Sequence, residues 1–526
     1  MNNEKHIKTT EFAQASVEQM AARREARAAE QREKLSGGGE QRCVVCICMN
    51  IAGPQKRGGL IDAAFLDALN CFFAMLRERR SPAQNGVALR FINENTGIEA
   101  LISLDEDAAE LKRICVEIEE KHRAGRLFDM DVIAKNGAKL GRSEPRKCLI
   151  CSENASVCAR SRAHSVEELK KRTHELLERW LADFLGGSAM AALSSEVNIT
   201  PKPGLVDANN SGANPDMNRE TFHISAMALR HFFIRMAELS IAYAEKQDDA
   251  AVLEAYVGEL KKLGVEAEKA MLKATGGVNT HRGAVYSLGL LVSAAALDLA
   301  RGVFSADESG LRGIGLGELK EVGGLGLAKN CTRTAAELAR ALGDNSAEAS
   351  NGAIVRKKYG VDGPVQQAQQ GFPLALLAKA AKEEYYNRYG SEHEELAWVY
   401  ALIRVMAVMD DNNALKRGGR AGADYVKKRA SELASLAMRA GPGEFNSALL
   451  ELDAELIERN ISCGGAADML ALALFLDGLD ALSAPLERPV FNEERERGKK
   501  SIMISGEPGV GGTSFVKTLF STLFEV

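Results

Sequence analysis

Glu196-Val-Asn-Ile-Thr-Pro-Lys-Pro-Gly-Leu-Val-Asp-Ala-Asn-Asn-Ser-Gly-Ala-Asn-Pro-Asp-Met217 sets turn formers and oxygen-bearing side chains between two long apolar-periodic regions. Pro201 and Pro203 fix φ and push their predecessors towards extended backbone, so no helix continues here. The pattern predicts a functional loop that presents Lys202 to a ligand instead of packing it. Gly204, Gly212, Asn209, Asn210 and Asn214 tolerate unusual backbone angles, while Asp207 and Asp216 offer hard oxygen ligands suited to Mg²⁺. One lysine, two carboxylates and spare amides suit a polyphosphate. A connection this long is uncommon unless it is functional.

Downstream, Thr275-Gly-Gly-Val-Asn-Thr-His-Arg-Gly283 leads into the apolar run Ala284 to Ala296, a glycine loop opening a buried helix. Such an N-terminus attracts anions. Helical periodicity dominates the second part of the chain. The predicted helices are 221–245, 250–274, 284–301, 332–342, 371–389, 392–409, 422–440, 442–459 and 466–482, with ligand-like blocks at their junctions. The implied core is a helical bundle with a site at the helix ends.

The first part alternates instead. A helix over Ala13 to Leu35 precedes a strand over Cys43 to Met49, a helix from Leu60 to Arg79, strands at Val87 to Ile92 and Gly97 to Leu104, and a helix from Ala108 to His122. Gly125-Arg-Leu-Phe-Asp-Met-Asp-Val-Ile133 reads as a further strand that puts Asp129 and Asp131 on one face, where a divalent metal carrying a diphosphate would relieve their repulsion. The fold class is therefore multidomain, an N-terminal α+β domain followed by a larger all-α domain. Its expected parts are a helical extension at 1–40, an α+β domain at 41–182, a helical domain at 186–484 and a tail at 485–526, with a flexible junction at Gly186-Gly187 after a helix ending at Phe184.

Composition narrows the function. The chain has 526 residues, 46% of them hydrophobic and 26% charged, with a net charge of −5, which provides ample core and none of the basic excess of a nucleic-acid binder. Without a leader or an uninterrupted apolar span, the expectation is a cytoplasmic protein free of membrane contact. The 10 cysteines suit reduced thiols or metal ligands better than a secreted framework. Cys148, Cys151, Cys158 and His164 can close a Cys₃His zinc site or form a buried thiol cluster, and Arg142, Arg146, Arg160 and Arg162 around them suit phosphate contacts. Two glycine runs, Gly313 to Gly317 and Gly323 to Gly326, lack the preceding strand of a dinucleotide fingerprint. Ser501 to Thr513 imitates a strand and P-loop, but Gly512 stands where the lysine belongs.

The blocks Thr200 to Asp207, Thr275 to Gly283, Asp411-Asn-Asn-Ala-Leu-Lys-Arg-Gly-Gly419 and Asn460-Ile-Ser-Cys-Gly-Gly-Ala-Ala-Asp468 resemble, in order, those of the triphosphoribosyl-dephospho-coenzyme A synthase family. Gly53-Pro-Gln-Lys56, Arg126 to Val132 and Arg146 to His164 resemble the transferase that attaches phosphoribosyl-dephospho-coenzyme A to the acyl carrier subunit of citrate lyase. The resemblance implies a bifunctional enzyme. ATP and 3′-dephospho-coenzyme A would react with loss of adenine, and the prosthetic group would then pass to a serine of the acyl carrier protein with loss of diphosphate. It implies phosphate contacts for Lys202, Arg282 and Arg417, metal or base roles for Asp207, Asp216 and Asp411, and adenine protonation by His281. Asn279, Asn413, Gly464, Gly465 and Asp468 are further ligand-binding candidates from the same blocks. In the first domain Lys56, Arg126 and Arg142 would hold phosphates, with Asp129 and Asp131 on Mg²⁺. Asn214 and Cys463 depart from a more usual histidine and proline. The rival readings are an ATP-dependent kinase and a zinc-binding interaction module built on Cys148 to His164.

Overall fold

Cys43 to Cys48 is an unbroken run of β-branched and thiol side chains, a composition that suits a strand covered on both faces. It forms the middle of β1 (Arg42–Met49), buried along nearly its whole length. In the computed structural model, which describes residues 14–36, 42–79, 87–246, 249–302, 326–343, 351–480, 482, 491–492 and 502–504, β1 pairs antiparallel with β3 (Gly97–Asp105) and with β4 (Phe128–Ile133). β3 forms a hairpin with β2 (Val87–Glu94), and the sheet order is β4-β1-β3-β2. The outer edge of β2 is covered from the far end of the chain: β6 (Ile502–Ile504) pairs with it and β5 (Phe491–Asn492) pairs with β6. The predicted strand at the start of the P-loop imitation thus exists, as the short β6 between β2 and β5, while the glycine loop after it lies outside the described residues, as do Gly313 to Gly317 and Gly323 to Leu325.

Period two places alternate β1 residues on opposite faces. Cys43, Val45 and Ile47 join the main core with α2 (Gly59–Arg79) and α3 (Ala108–Lys121), while Val44 and Cys46 form a smaller cluster with Leu35 of α1 (Val17–Ser36). Arg23 and Arg27 of α1 clamp Glu99 of β3 on that second face, at 2.9 and 2.5 Å. After the short α4 (Ala155–Ser161) comes α5 (Val166–Asn198), which starts at a capping box of Ser165 and Glu168.

α5 corrects the predicted domain junction. The helix runs straight through Gly186 and Gly187, both buried, because Gly186 is where α6 (Arg219–Ala244) comes closest: a Cβ there would lie 2.4 Å from Ile234 Cγ1 and 2.9 Å from Ile234 N. These glycines provide close helix packing instead of flexibility. Six residues before Gly186, Trp180 Nε1 donates to Asp67 Oδ2 of α2 at 2.7 Å, and His122 Nε2 meets the same oxygen at 2.8 Å. One continuous hydrophobic cluster extends from Cys43 to Leu482.

Beyond α6 follow α7 (Ala250–Ala274), α8 (Arg282–Ala300), α9 (Gly326–Leu342), α10 (Asn351–Tyr359), α11 (Pro364–Gln369), α12 (Pro373–Tyr389), α13 (Glu394–Met406), α14 (Asn412–Ala440), α15 (Pro442–Glu458) and α16 (Gly464–Asp480). The region is the predicted all-α bundle. α8 is buried at every position from Ser287 to Leu299, which its all-round apolar sequence requires. α2 and α8 are long and apolar enough to cross a membrane, but both are core helices here, with 83% of the apolar window buried in each. α14 bends at Gly419, whose φ of 64° and ψ of −167° separate the Asp411 block from the predicted 422–440 helix.

Candidate active sites

The 196–217 loop folds by satisfying its own backbone. Asp207 Oδ2 accepts from Lys202 N at 2.8 Å, and its Oδ1 accepts from Asn209 N at 2.7 Å and Asn210 N at 3.2 Å. Asp453 of α15 takes Gly204 N and Asn210 Nδ2, both at 2.8 Å. Gly204 adopts φ +71°, and a Cβ there would come within 2.7 Å of the Ile461 carbonyl, so glycine is required.

Lys202 is packed, not presented. Its side chain is 1% exposed, and Nζ donates to Glu196 Oε1 at 2.5 Å and to the Glu196 carbonyl at 2.6 Å. Burial raises the pKa of Glu196 against the opposing pull of this lysine. Both residues face a cavity of about 750 Å³. First-turn residues of three helices converge on it: Arg282 and Gly283 of α8, Asn412 and Asn413 of α14, and Gly464 and Gly465 of α16. Each N-terminus carries a partial positive charge, although Asp411 caps first-turn N–H groups of both α14 and α16. Lys416 and Arg417 add full charges.

The predicted residues fall into two groups. Lys202, Asn279, His281, Arg282, Asn413, Arg417, Gly464, Gly465 and Asp468 all line this cavity. Asp207, Asp216 and Asp411 do not. Asp216 is exposed on the loop. Asp411 is the N-cap of α14: its Oδ1 accepts from Asn413 N at 2.7 Å and Ala414 N at 3.1 Å, and its Oδ2 from Ala466 N at 2.9 Å. Asp207 and Asp411 each accept three backbone N–H bonds, which ties both carboxylates to the local fold. Arg417 holds the loop, donating to the Ala213 carbonyl at 2.5 Å and to Asn214 Oδ1 at 2.7 Å, while Asn214 Nδ2 donates to Ser462 Oγ at 3.1 Å. Arg282 is more exposed and pairs with Glu268 at 3.1 Å.

Two polar groups in the cavity keep free functionality. Thr280 Oγ1 donates to Ser225 Oγ at 2.7 Å, and Ser225 Oγ lies 2.7 Å from His281 Nδ1. With Ser225 as donor, Nδ1 is the acceptor and Nε2 carries the ring proton; that buried atom has no hydrogen-bond partner among the described residues. Burial, with the charges of Lys202 and His223, pulls the His281 pKa down to about 3, which favours the neutral ring. Asp468 is the other. Burial and the neighbouring Glu196 and Asp411 charges push its carboxyl well above the usual range. It sits on the first turn of α8, where a Cβ on Gly283 would be 2.3 Å from its Oδ2.

At the sheet, Asp129 and Asp131 share a face as predicted, opposite Cys48 and Cys46 of β1. Lys139 relieves their repulsion: its Nζ lies 2.6 Å from Asp131 Oδ2, and both carboxylates raise its pKa against the opposing effect of burial. The ammonium occupies the role expected of a metal. Arg146 pairs with buried Glu119 at 2.7 Å, Arg142 with Glu120 at 3.1 Å, and Arg126 donates to the carbonyls of Lys147 and, at 2.9 Å, Cys148. Burial and the positive charges of Arg146 and Arg142 lower the pKa of Arg126, as expected for cations close together. Lys56 donates to the Ile51 carbonyl, its pKa lowered by burial and by Arg24.

Residues 182–486 match the family model for ATP:dephospho-CoA triphosphoribosyl transferase, and residues 15–180 match that for apo-citrate lyase phosphoribosyl-dephospho-CoA transferase. The chain belongs to both families, in that order from its second and first parts. Protein CitXG of Haemophilus influenzae is 32% identical over 479 residues, covering 89% of this chain and 97% of its own length. Protein CitXG of Leuconostoc mesenteroides is 28% identical, covering 82% and 91%. A probable 2-(5''-triphosphoribosyl)-3'-dephosphocoenzyme-A synthase of Pseudomonas putida is 38% identical over 306 residues, 57% of this chain and 96% of its own. The chain is a transferase that combines the two activities, with ATP and dephospho-CoA as substrates of the second part.

Sequence reasoning missed Glu196, Asp453, Ser225, Glu119 and Lys139. Asp453 carried a signal: it lies on the apolar stripe of Phe445, Leu449, Leu452 and Leu456, where an acid is out of place unless it binds something. Lys139 carried none, because a loop lysine reaching a strand eight residues earlier has no pattern.

Proposed function

We propose that the cavity at the N-termini of α8, α14 and α16 binds the ATP triphosphate beside 3′-dephospho-coenzyme A, and that a hydroxyl of the latter displaces adenine from the ribose anomeric carbon. The observation that carries this reading is the convergence of three helix N-termini with Lys202, Lys416 and Arg417 on one cavity, a field suited to several phosphates at once. Asp468 is the proton acceptor for the attacking hydroxyl, because it is the cavity carboxylate without a cationic or backbone partner among the described residues, and burial raises its basicity. His281 hydrogen-bonds to the departing adenine through Nε2–H, and neutrality spares it repulsion with Lys202. The new bond joins hydroxyl oxygen to the anomeric carbon as the bond to adenine breaks; the hydroxyl proton goes to Asp468, the departing adenine takes up a proton from water, and Asp468 returns its proton to solvent, so that no net proton is gained or lost. Mg²⁺ is expected to arrive on the triphosphate, since Asp207 and Asp411 are occupied and magnesium is commonly held by one or two carboxylates plus substrate phosphates.

In the first part, Arg126, Arg142 and Arg146 hold the diphosphate that leaves when a serine of the citrate lyase acyl carrier protein attacks the adjacent phosphorus, and Asp129, Asp131 and Lys139 form the polar face beside them. The setting is cytoplasmic, consistent with ten unbridged cysteines. Incubation with ATP and dephospho-coenzyme A should release adenine and yield one new species by mass spectrometry; added apo carrier protein should then gain that mass less diphosphate. Formation of ADP in place of adenine would defeat the proposal and favour a kinase.

A further inference from the structure

The segment between β4 and α5 has the short α4 as its only helix, yet it places four metal-ligating side chains together. Cys148, Cys151, Cys158 and His164 bring one ligand atom each to within 4.8 Å of all the others. Cys151 Sγ lies 3.5 Å from Cys158 Sγ, and His164 Nε2 lies 3.4 Å from Cys151 Sγ. Ligands at about 2.3 Å for Zn–S and about 2.0 Å for Zn–N, in a tetrahedron, stand roughly 3.5 to 3.8 Å apart. A disulfide is a poor description, since it requires a sulfur separation of about 2.05 Å.

The backbone supports the same reading. Cys148 N donates to the Glu153 carbonyl at 2.6 Å, closing a tight turn, and the N–H groups of Ile150 and Cys151 point at Cys148 Sγ. Asn154 caps α4, which carries Cys158. Arg162 then takes the left-handed conformation at φ 52°, reversing the chain so that His164 returns to the sulfurs. A left-handed arginine is uncommon and marks a geometry held by something else.

We propose that Cys148, Cys151, Cys158 and His164 bind one structural Zn²⁺. Three thiolates and an imidazole in a closed four-ligand set select zinc and leave no open position for substrate. The metal pins the Cys148 turn, whose carbonyl receives Arg126, so it fixes part of the arginine group against the sheet without touching the reacting atoms. The other metal-like groups lack this character: Asp67 is occupied by Trp180 and His122, and His174, Glu178 and Glu245 lie towards the surface.

The full chain, purified in a phosphine reductant from zinc-supplemented culture, should contain one zinc per chain by elemental analysis. Cys151→Ser and His164→Ala should lose most of it while retaining adenine release, which occurs elsewhere. Because a variant can fail to fold, a second measurement uses the wild-type chain: cobalt exchanged for zinc should give thiolate-to-metal charge-transfer absorption and a tetrahedral d–d band. Metal-free wild-type protein that takes up neither ion, or full zinc content in both variants, would overturn the proposal.

Discussion

Lys202 poses a question that kinetics alone cannot answer, because one ammonium is both half of a buried ion pair and part of the cavity wall. Lys202 and Glu196 are 1% and 6% exposed and 2.5 Å apart. Removing one partner of such a pair costs about 3–5 kcal/mol, chiefly through the charge left behind, whereas replacing both by neutral groups is often close to neutral. Lys202→Met should therefore lower the denaturation midpoint substantially, and Lys202→Met with Glu196→Gln should restore most of the loss. Function should not be restored with it. A charge-assisted hydrogen bond to phosphate contributes about 1.5–3 kcal/mol, which at about 1.4 kcal/mol per tenfold corresponds to a rise of roughly 10- to 150-fold in the KM for ATP. The contact lies away from the anomeric carbon, so kcat in the double variant should stay within a few-fold. The assay is adenine release against ATP concentration, paired with urea denaturation of the single and double variants. A stable double variant with wild-type KM would refute the reasoning and reduce Lys202 to a strut, leaving Lys416 and Arg417 to hold the triphosphate.

Asp468→Asn should lower kcat for adenine release by about 10²- to 10⁴-fold, the usual contribution of a positioned base, with little change in KM; wild-type turnover would remove Asp468 from the mechanism. Asp298 of α8 takes a hydrogen bond from Thr334 at 2.7 Å, and burial raises its pKa to about 7. The folded state holds a proton there that the unfolded chain has already lost, so this contribution is full below about pH 4 and fades as pH rises towards 7. Asp298→Asn should flatten the fall in Tm across that window, and an unchanged pH slope would contradict the assignment. Gly186→Val should cost about 1–3 kcal/mol because its Cβ would lie 2.9 Å from the backbone nitrogen of Ile234. Denaturant titration showing no loss would mean that α5 and α6 separate freely.

Much of the fold could be read from periodicity. The predicted strand 125–133 begins with a short 3₁₀ turn at Gly125 to Leu127, but its Asp129 and Asp131 do share a face, since period two fixes side independently of the strand ends. α5 could not be read as one helix: paired glycines usually break a helix, and here their value is a close approach to Ile234, a partner 48 residues away in sequence that local pattern does not reveal. The cavity was legible at Lys202, His281, Arg417 and Asp468, because glycine and asparagine blocks mark helix starts. The surroundings of the carboxylates were less legible. Asp207 and Asp411 look like metal ligands by type, but only the folded chain shows that backbone N–H groups already fill their lone pairs. The same limit applies to Lys139, whose ion pair with Asp131 no local pattern announces.

α5 has 33 residues, a rod of about 50 Å at 1.5 Å per residue. Where two catalytic modules are joined by a flexible tether, local concentration depends on tether length, and lengthening it is tolerated. Here the joint is a continuous helix held near its middle, by Asp67 at Trp180 and by Ile234 at Gly186. Inserting one residue into that helix would rotate everything beyond it by about 100° and shift it by about 1.5 Å, so the register of the joint is as constrained as that of a core strand. Under the proposed two-step reaction, the product would then pass between parts joined by a continuous helix, not by a tether.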